Sequence, residues 1–327
     1  MKLGAFNILF LDRSFADCVT TIRQVGCDAI EIAAGGYTPK SHCNPTELLA
    51  DRAKLQEFRR VIDGQGLEIS AISCHGNPLH PNPEVSRRHA EDIRLCAELA
   101  SELGVANVVG FAGCPGDSEN ATYPNWVTCP WPDDFSTVVN WQWEAKVIPF
   151  WTDMAETLRA TGTRYCLEMH PGDTVYTPEK LLRLRDAVGP EIGCNFDPSH
   201  LFWQQIDPAA AVRILGDAIY HVHMKDSKVD PLNVSRVSVL DTKPYTDEIN
   251  RGWIFRTVGY GHDESVWRDI VSNLRLVGYD GVLSIEHEDS LMAADEGLQK
   301  AIAFLREVMV EKPRGKTWFE MDNEAVN

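Results

Sequence analysis

Ile192–His200 reads IGCNFDPSH. A short, mostly apolar run stops at Asp197, and Pro-Ser-His turns the chain away. Five residues are too few for a helix, but they suit a strand buried on both faces of a parallel sheet. Working outward, the same form recurs on both sides. Before it come Lys2–Ile8 (KLGAFNI), Ala29–Ala33 (AIEIA), Leu67–Cys74 (LEISAISC), Asn107–Phe111 (NVVGF) and Tyr165–His170 (YCLEMH). After it come Ile219–Lys225 (IYHVHMK) and Val282–Glu286 (VLSIE), which makes eight runs.

Amphipathic stretches separate the runs. One is expected from Pro45 to about Asp63, and others over Ser86–Leu103, Trp143–Leu158 and Leu291–Val310. Thr177-Pro178-Glu179 and Asp207-Pro208 each put a capping residue before a proline at the first helical position, a specific start signal. Eight strand–helix units predict an α/β fold, a (β/α)₈ TIM barrel. A doubly wound open sheet would call for a glycine-rich phosphate loop after an early strand, and neither G-x-G-x-x-G nor G-x-x-x-x-G-K-[ST] occurs. The barrel is expected to occupy residues 1–311 as one domain, with a polar tail over 312–327 docked through Trp318 and Phe319. Two connections, about 112–139 and 226–261, exceed the usual few residues. They are expected as loops over the C-terminal face, where barrel active sites are built. The first carries Tyr123, Trp126 and Trp131, and Trp131 is taken as a substrate-binding wall.

The 327 residues carry 31 Lys and Arg against 48 Asp and Glu, a net charge of −17. Phosphate neutralisation by basic side chains underlies nucleic-acid binding, and no Lys/Arg run exceeds two residues, so nucleic acid is excluded as an expected partner. Anionic membrane surfaces are excluded on the same ground. No stretch approaches the roughly 18 apolar residues of a membrane span, and the N-terminal segment is charged too early for a signal peptide. Nine cysteines without a Cys-x-x-Cys pair read as free buried thiols. A cytoplasmic location is expected.

The chemistry lies where the runs stop. The last four end in Glu168, Asp197, His223 and Glu286. In a parallel barrel these ends converge on one mouth. Three carboxylates at close range repel one another, and a divalent cation resolves that repulsion. Three oxygens and an imidazole suit manganese, the expected ion, and also magnesium, cobalt or zinc. His200, three residues after Asp197, and His75 and Glu31, at the ends of the third and second runs, are candidate substrate contacts. His170 shares the strand face of Glu168. Lys225, at the rim, either steadies an oxyanion or pairs with a carboxylate. His221 reads as packing and His287 as a support behind Glu286.

At Glu168 with His170, Asn195-x-Asp197-Pro198-Ser199-His200, His221-x-His223-x-Lys225-Asp226 and Glu286, the sequence resembles the xylose isomerase-like TIM-barrel superfamily, the sugar phosphate isomerases and epimerases. The resemblance covers roughly residues 1–311. It implies a metal held by Glu168, Asp197, His223 and Glu286, with Glu168 and Glu286 as the acid/base pair of a ketose epimerase. The superfamily's DNA endonucleases fit poorly, because Gly110-Phe111-Ala112 supplies no histidine ligand and the charge is wrong for DNA. A further likeness is to the catalytic subunits of C-glycoside deglycosidases and 3-keto-glycoside lyases, in which His170 would be the base. The expected function is therefore metal-dependent isomerisation or epimerisation of a keto-sugar, by proton abstraction next to a metal-bound carbonyl to give an enediolate. The alternatives are β-elimination from a 3-keto-glycoside, an inosose-type dehydration, or a non-catalytic sugar-binding or partner subunit. The resemblance also implies a homo-oligomer or a second subunit.

Overall fold

A computed structural model of the protein describes residues 1–313 and 315–318. Each apolar run is a strand: β1 (Lys2–Phe6), β2 (Ala29–Gly36), β3 (Glu68–His75), β4 (Asn107–Gly110), β5 (Arg164–Glu168), β6 (Ile192–Phe196) and β7 (Ile219–Met224). The eighth run comes later in the chain. Between it and β7 lie two short strands, β8 (Asp226–Val229) and β9 (Trp253–Arg256), so it is β10 (Val282–Ile285). Going round, β1 to β7 follow in order, and β10 closes the ring between β7 and β1, every pairing parallel. The expected (β/α)₈ barrel is what forms.

The helices are α1 (Phe15–Gln24), α2 (Pro45–Ala50), α3 (Arg52–Asp63), α4 (Pro83–Leu103), α5 (Asp133–Trp141), α6 (Ile148–Thr161), α7 (Pro178–Val188), α8 (Ser199–Phe202), α9 (Pro208–Leu215), α10 (Pro231–Val237), α11 (Glu264–Leu276) and α12 (Ala294–Val308). The helix expected from Pro45 to Asp63 is two. Asp51 is extended, and its carboxylate accepts from the N–H groups of Ala53 and Lys54. A residue that caps a new helix cannot also continue the old one. Sequence reading passed over α1 and α11, although Ser14 and Asp263 cap them in the same way.

The long connection after β4 ends sooner than expected, because the chain turns helical at Asp133, not Val139. Helix continues through a π turn at Gln142–Val147 into α6, whose second residue is Pro149. Proline offers no N–H and crowds the carbonyl four residues back, and a widened turn accommodates both. The segment 226–261 is not a bare loop either. β8 and β9 pair antiparallel, Asp226 opposite Arg256, with α10 between them. Trp318 is largely exposed, so the expected docking of the tail is not seen at that residue, and Phe319 lies outside the described residues.

Helices and sheet share one apolar core in which Trp151 and Trp267 are fully buried. Eight of the nine cysteines are buried free thiols and Cys129 is exposed. Among the described residues, no helix is long and apolar enough to cross a membrane.

Gly36 holds the β2–β3 edge at the mouth. Its φ is +75°, and a Cβ there would meet the His75 carbonyl oxygen at 2.0 Å. Gly104, with φ +72°, would place its Cβ in open space. Gly104→Ala should therefore cost only the left-handed backbone penalty of about 1–2 kcal/mol. Gly36→Ala should cost clearly more, about 3 kcal/mol or above, because backbone must also move. Urea unfolding of both variants measures the difference; equal losses would contradict this account of the edge.

Candidate metal centre

Side chains two apart on a strand share a face, and this rule loads the barrel interior. β5 offers Cys166 and Glu168; β6 offers Asn195 and, one step past its end, Asp197. β7 offers His221 and His223, then Lys225. β10 offers Ser284, then Glu286. Low in the barrel, Ala71, Val109 and Cys166 form a small buried apolar cluster. Ionisable groups occupy the level above it.

Glu168, Asp197, His223 and Glu286 converge as expected: one donor atom of each lies within 4.8 Å of the others. His223 Nδ1 is 3.1 Å from Glu168 Oε2 and 2.9 Å from Glu286 Oε2. Its other nitrogen, Nε2, is 2.9 and 3.0 Å from the two oxygens of Glu31. Glu31 is thus not at the substrate level. It lies beneath His223, fully buried, and also accepts from the hydroxyls of Ser73 and Ser284. Burial pushes its pKa up, but the His223 and His221 imidazoles overcome this and bring it down to about 2.

The mouth favours positive charge. Burial disfavours a charged His223, yet Glu31 and Glu286 hold its pKa well above the ordinary value. Burial likewise opposes charge on Lys225, but Asp197 and Glu286 hold its pKa up. The lysine is almost fully buried, 3.1 Å from Asp197, 2.8 Å from Glu286 and 3.0 Å from Glu288. Of the two readings of Lys225, the pairing one describes these contacts.

Two more histidines attend Glu168. His200 Nε2 lies 3.1 Å from Oε1 and His75 Nε2 lies 3.3 Å from Oε2. Burial raises the Glu168 pKa, but hydrogen bonds from His200, His223 and His75 leave it well below the usual range. His170 stands above His200, ring centroids 4.3 Å apart, and its Nδ1 donates to the Pro171 carbonyl at 2.7 Å. Burial, then the neighbouring His200, push its pKa down to about 3. Its imidazole is therefore neutral at physiological pH, with Nε2 as the basic nitrogen.

Other candidates lie elsewhere. Trp131 is 73% exposed and is not brought against the cluster; from the same loop it is Trp126 that turns inward, edge-on to Tyr176. His287 bonds the Met292 carbonyl and packs at α12, away from Glu286's donor atoms. His221, read as packing, does more: its Nδ1 bonds Asn195 Oδ1 at 2.8 Å, and Asn195 Nδ2 donates to Glu168 at 2.9 Å. Ser73 and Ser284 were not singled out from sequence, and Asn195 entered only as part of a motif, with no role of its own. Their signal was the strand period itself, which puts each of them one inward step below or beside a candidate ligand.

A divalent ion fits this donor set. His223 Nδ1 and Asp197 Oδ2 are buried within ion-pair distance of charged neighbours, Glu168 and Glu286 for the one and Lys225 and His200 for the other, but neither makes a well-formed hydrogen bond, and buried polar atoms are seldom left so. Both are atoms a metal would use, and Glu31 on the far nitrogen would complete a carboxylate–histidine–metal relay.

Residues 19–308 match the family model described as the xylose isomerase-like TIM barrel. The chain belongs to the xylose isomerase-like TIM-barrel family. Within reach of this family member is the uncharacterized protein YfiH of Bacillus subtilis, 36% identical over 312 residues, covering 94% of this chain and 99% of that one. The rhizopine catabolism protein MocC of Rhizobium meliloti is 26% identical over 277 residues, covering 85% and 75%. Among solved structures, the apo 3-keto-D-glucoside 4-epimerase YcjR of E. coli superposes with a TM-score of 0.64 at 17% identity, covering 94% and 99%; that likeness concerns the fold.

Because Glu31 fixes which nitrogen of His223 faces the carboxylates, Glu31→Gln should weaken manganese binding about 10–100-fold, and should also lower the thermal stability of the metal-free protein because the buried His223 loses a charged partner. Calorimetric titration with Mn²⁺ reads this; unchanged affinity would mean that Glu31 does not position the ligand.

Proposed function

We propose that the protein is a divalent-metal-dependent isomerase or epimerase acting on a keto-sugar, with proton transfer at the carbon next to the carbonyl. The convergence of Glu168, Asp197, His223 and Glu286, three buried or nearly buried carboxylates and an imidazole with donor atoms within 4.8 Å of one another, carries this reading. These four residues would hold the ion, which we take to be manganese, with magnesium, cobalt and zinc suiting the same donors. When bound, the ion supplies Lewis-acid polarisation of a substrate oxygen.

The proton chemistry belongs to the side chains. Glu286 Oε2 is engaged by Lys225 and His223, while its Oε1 accepts no hydrogen bond among the described residues and the side chain is a tenth exposed. It is placed to take a proton from the carbon beside the carbonyl. The electron pair of that C–H bond moves toward the carbonyl oxygen. Glu168, its two oxygens bonded by His200 and His75, returns a proton drawn through those imidazoles. Return to the opposite face of the same carbon is epimerisation; return to the neighbouring carbon is isomerisation. His223, held by Glu31, keeps the two glutamates apart and in register.

One observation favours a second reading. His170 Nδ1 is committed to the Pro171 carbonyl, so its Nε2 is a ready base beside the same cluster. With His170 taking the proton, the electron pair would expel a substituent one carbon further on, as in a 3-keto-glycoside lyase or an inosose-type dehydratase.

Keto-sugars incubated with the manganese-loaded protein in D₂O distinguish the two. Deuterium should enter at the carbon next to the carbonyl, and Glu286→Gln should slow entry about 10²–10⁴-fold. His170→Ala should retain most of the exchange if the glutamates do the work, and should collapse if the histidine is the base. Full exchange in Glu286→Gln would overturn the leading reading.

A further inference from the structure

The insertion between β7 and α11 has its own small core. Trp203 and Trp253 stack with centroids 5.0 Å apart and planes 2° from parallel, joined by Phe255 and flanked by Trp126. Beside this group lies a cavity of about 450 Å³. Trp126, Trp203, Trp253 and Tyr245 give it aromatic walls, and Asp241 and Lys243 stand among its polar lining. The cavity opens to solvent past Leu240 and Tyr245, each about half exposed. Its volume falls in the range of small-molecule sites, roughly 300–1,000 Å³.

The cavity adjoins the candidate centre. Pro171 and Gly172, which follow His170, form part of its wall. Tyr245 stacks on Phe255 at 5.5 Å, and besides Trp253 the Phe255 ring also meets the His200 ring at 5.6 Å and Lys225 Nζ at 4.8 Å. One phenyl ring thus separates the metal-ligand cluster from an aromatic chamber. The chamber's chemistry is mixed. Flat faces suit the C–H faces of a pyranose ring, and an acid, a base and Thr128 and Thr242 suit its hydroxyls. The indole N–H groups of Trp126 and Trp203 are buried and lack an acceptor among the described residues.

We propose that this chamber is a second sugar subsite, and that the substrate is a glycoside of two linked rings, the keto-sugar at the metal-ligand cluster and its partner ring between Trp126 and Tyr245. The inference rests on the reading of the barrel mouth as a keto-sugar site. It adds a place for a second ring beside that site. Trp126 therefore takes the substrate-binding role that sequence reading gave to Trp131.

The test is binding of unoxidised sugars, which cannot react, to the manganese-loaded full-length protein by calorimetry. The probes are methyl β-D-glucopyranoside, cellobiose, maltose, trehalose and p-nitrophenyl β-D-glucopyranoside. At least one disaccharide should bind roughly tenfold or more tightly than the methyl glucoside, the scale of one good ring contact. Trp126→Ala and the half-exposed Tyr245→Ala should each erase most of that advantage while methyl glucoside affinity moves less than about twofold, and Tyr245→Phe should restore it. Equal affinities for all probes, a preference only for the nitrophenyl glycoside, or a disaccharide advantage untouched by either substitution would overturn the proposal. If the disaccharide preference appears but no keto-sugar exchanges its C–H in D₂O, the subsite stands and the proton-transfer reading falls.

Discussion

The arrangement at the barrel mouth depends on keeping negative charges together out of water. Glu31, Glu168, Asp197 and Glu286 are all buried or nearly so. Two carboxylates about 4 Å apart repel by about 4 kcal/mol at the effective dielectric of a protein surface. His223 stands between them with Glu31 on one nitrogen and Glu168 and Glu286 on the other, and Lys225 secures the Asp197 side. The same geometry that offsets the repulsion leaves His223 Nδ1 and Asp197 Oδ2 facing charged neighbours without a well-formed hydrogen bond. A divalent cation answers both needs at once. The hydrogen-bond chain beneath, from Ser70 and His221 through Asn195 to Glu168, is what makes such a cluster rigid enough to be specific.

Much of this was legible in the sequence because two periodicities coincide. Apolar runs of strand length separated by capped amphipathic segments determine a barrel, and a barrel brings the ends of its strands to one mouth whatever their separation along the chain. Glu168, Asp197, His223 and Glu286 could therefore be grouped although neighbours are up to 63 positions apart. Depth was harder to read. Glu31 belongs to the same inward-facing set, but it lies a level lower because β2 runs on to Gly36, five residues past it. Counted from an expected end at Ala33, it looked like a rim residue. Ser73 and Ser284 were overlooked, and Asn195 had no role beyond its motif, because a neutral polar side chain inside an apolar run carries no signal until its neighbours across the sheet are known.

The insertions were the least legible part. β8 and β9 are four residues each and pair with one another rather than with the barrel, so no strand repeat announces them. They are held from within by Asp226, whose carboxylate accepts the N–H groups of Gly259, Gly261 and His262. Asp226 follows Lys225, which was read at the rim. One residue on from Lys225, it sits on the opposite face and so enters the insertion rather than the mouth. The choice between Trp126 and Trp131 was likewise beyond periodicity, since both lie in irregular backbone and only the folded loop decides which ring turns inward.

The central claim is that one divalent ion is held between Glu168, Asp197, Glu286 and the Nδ1 atom of His223, with Glu31 on Nε2. Crystals grown with manganese and measured on both sides of its absorption edge test this most directly. A single anomalous peak in contact with those four side chains is the expected result. No peak, or a peak on the Nε2 side among Glu31, His221 and His223, would contradict the account.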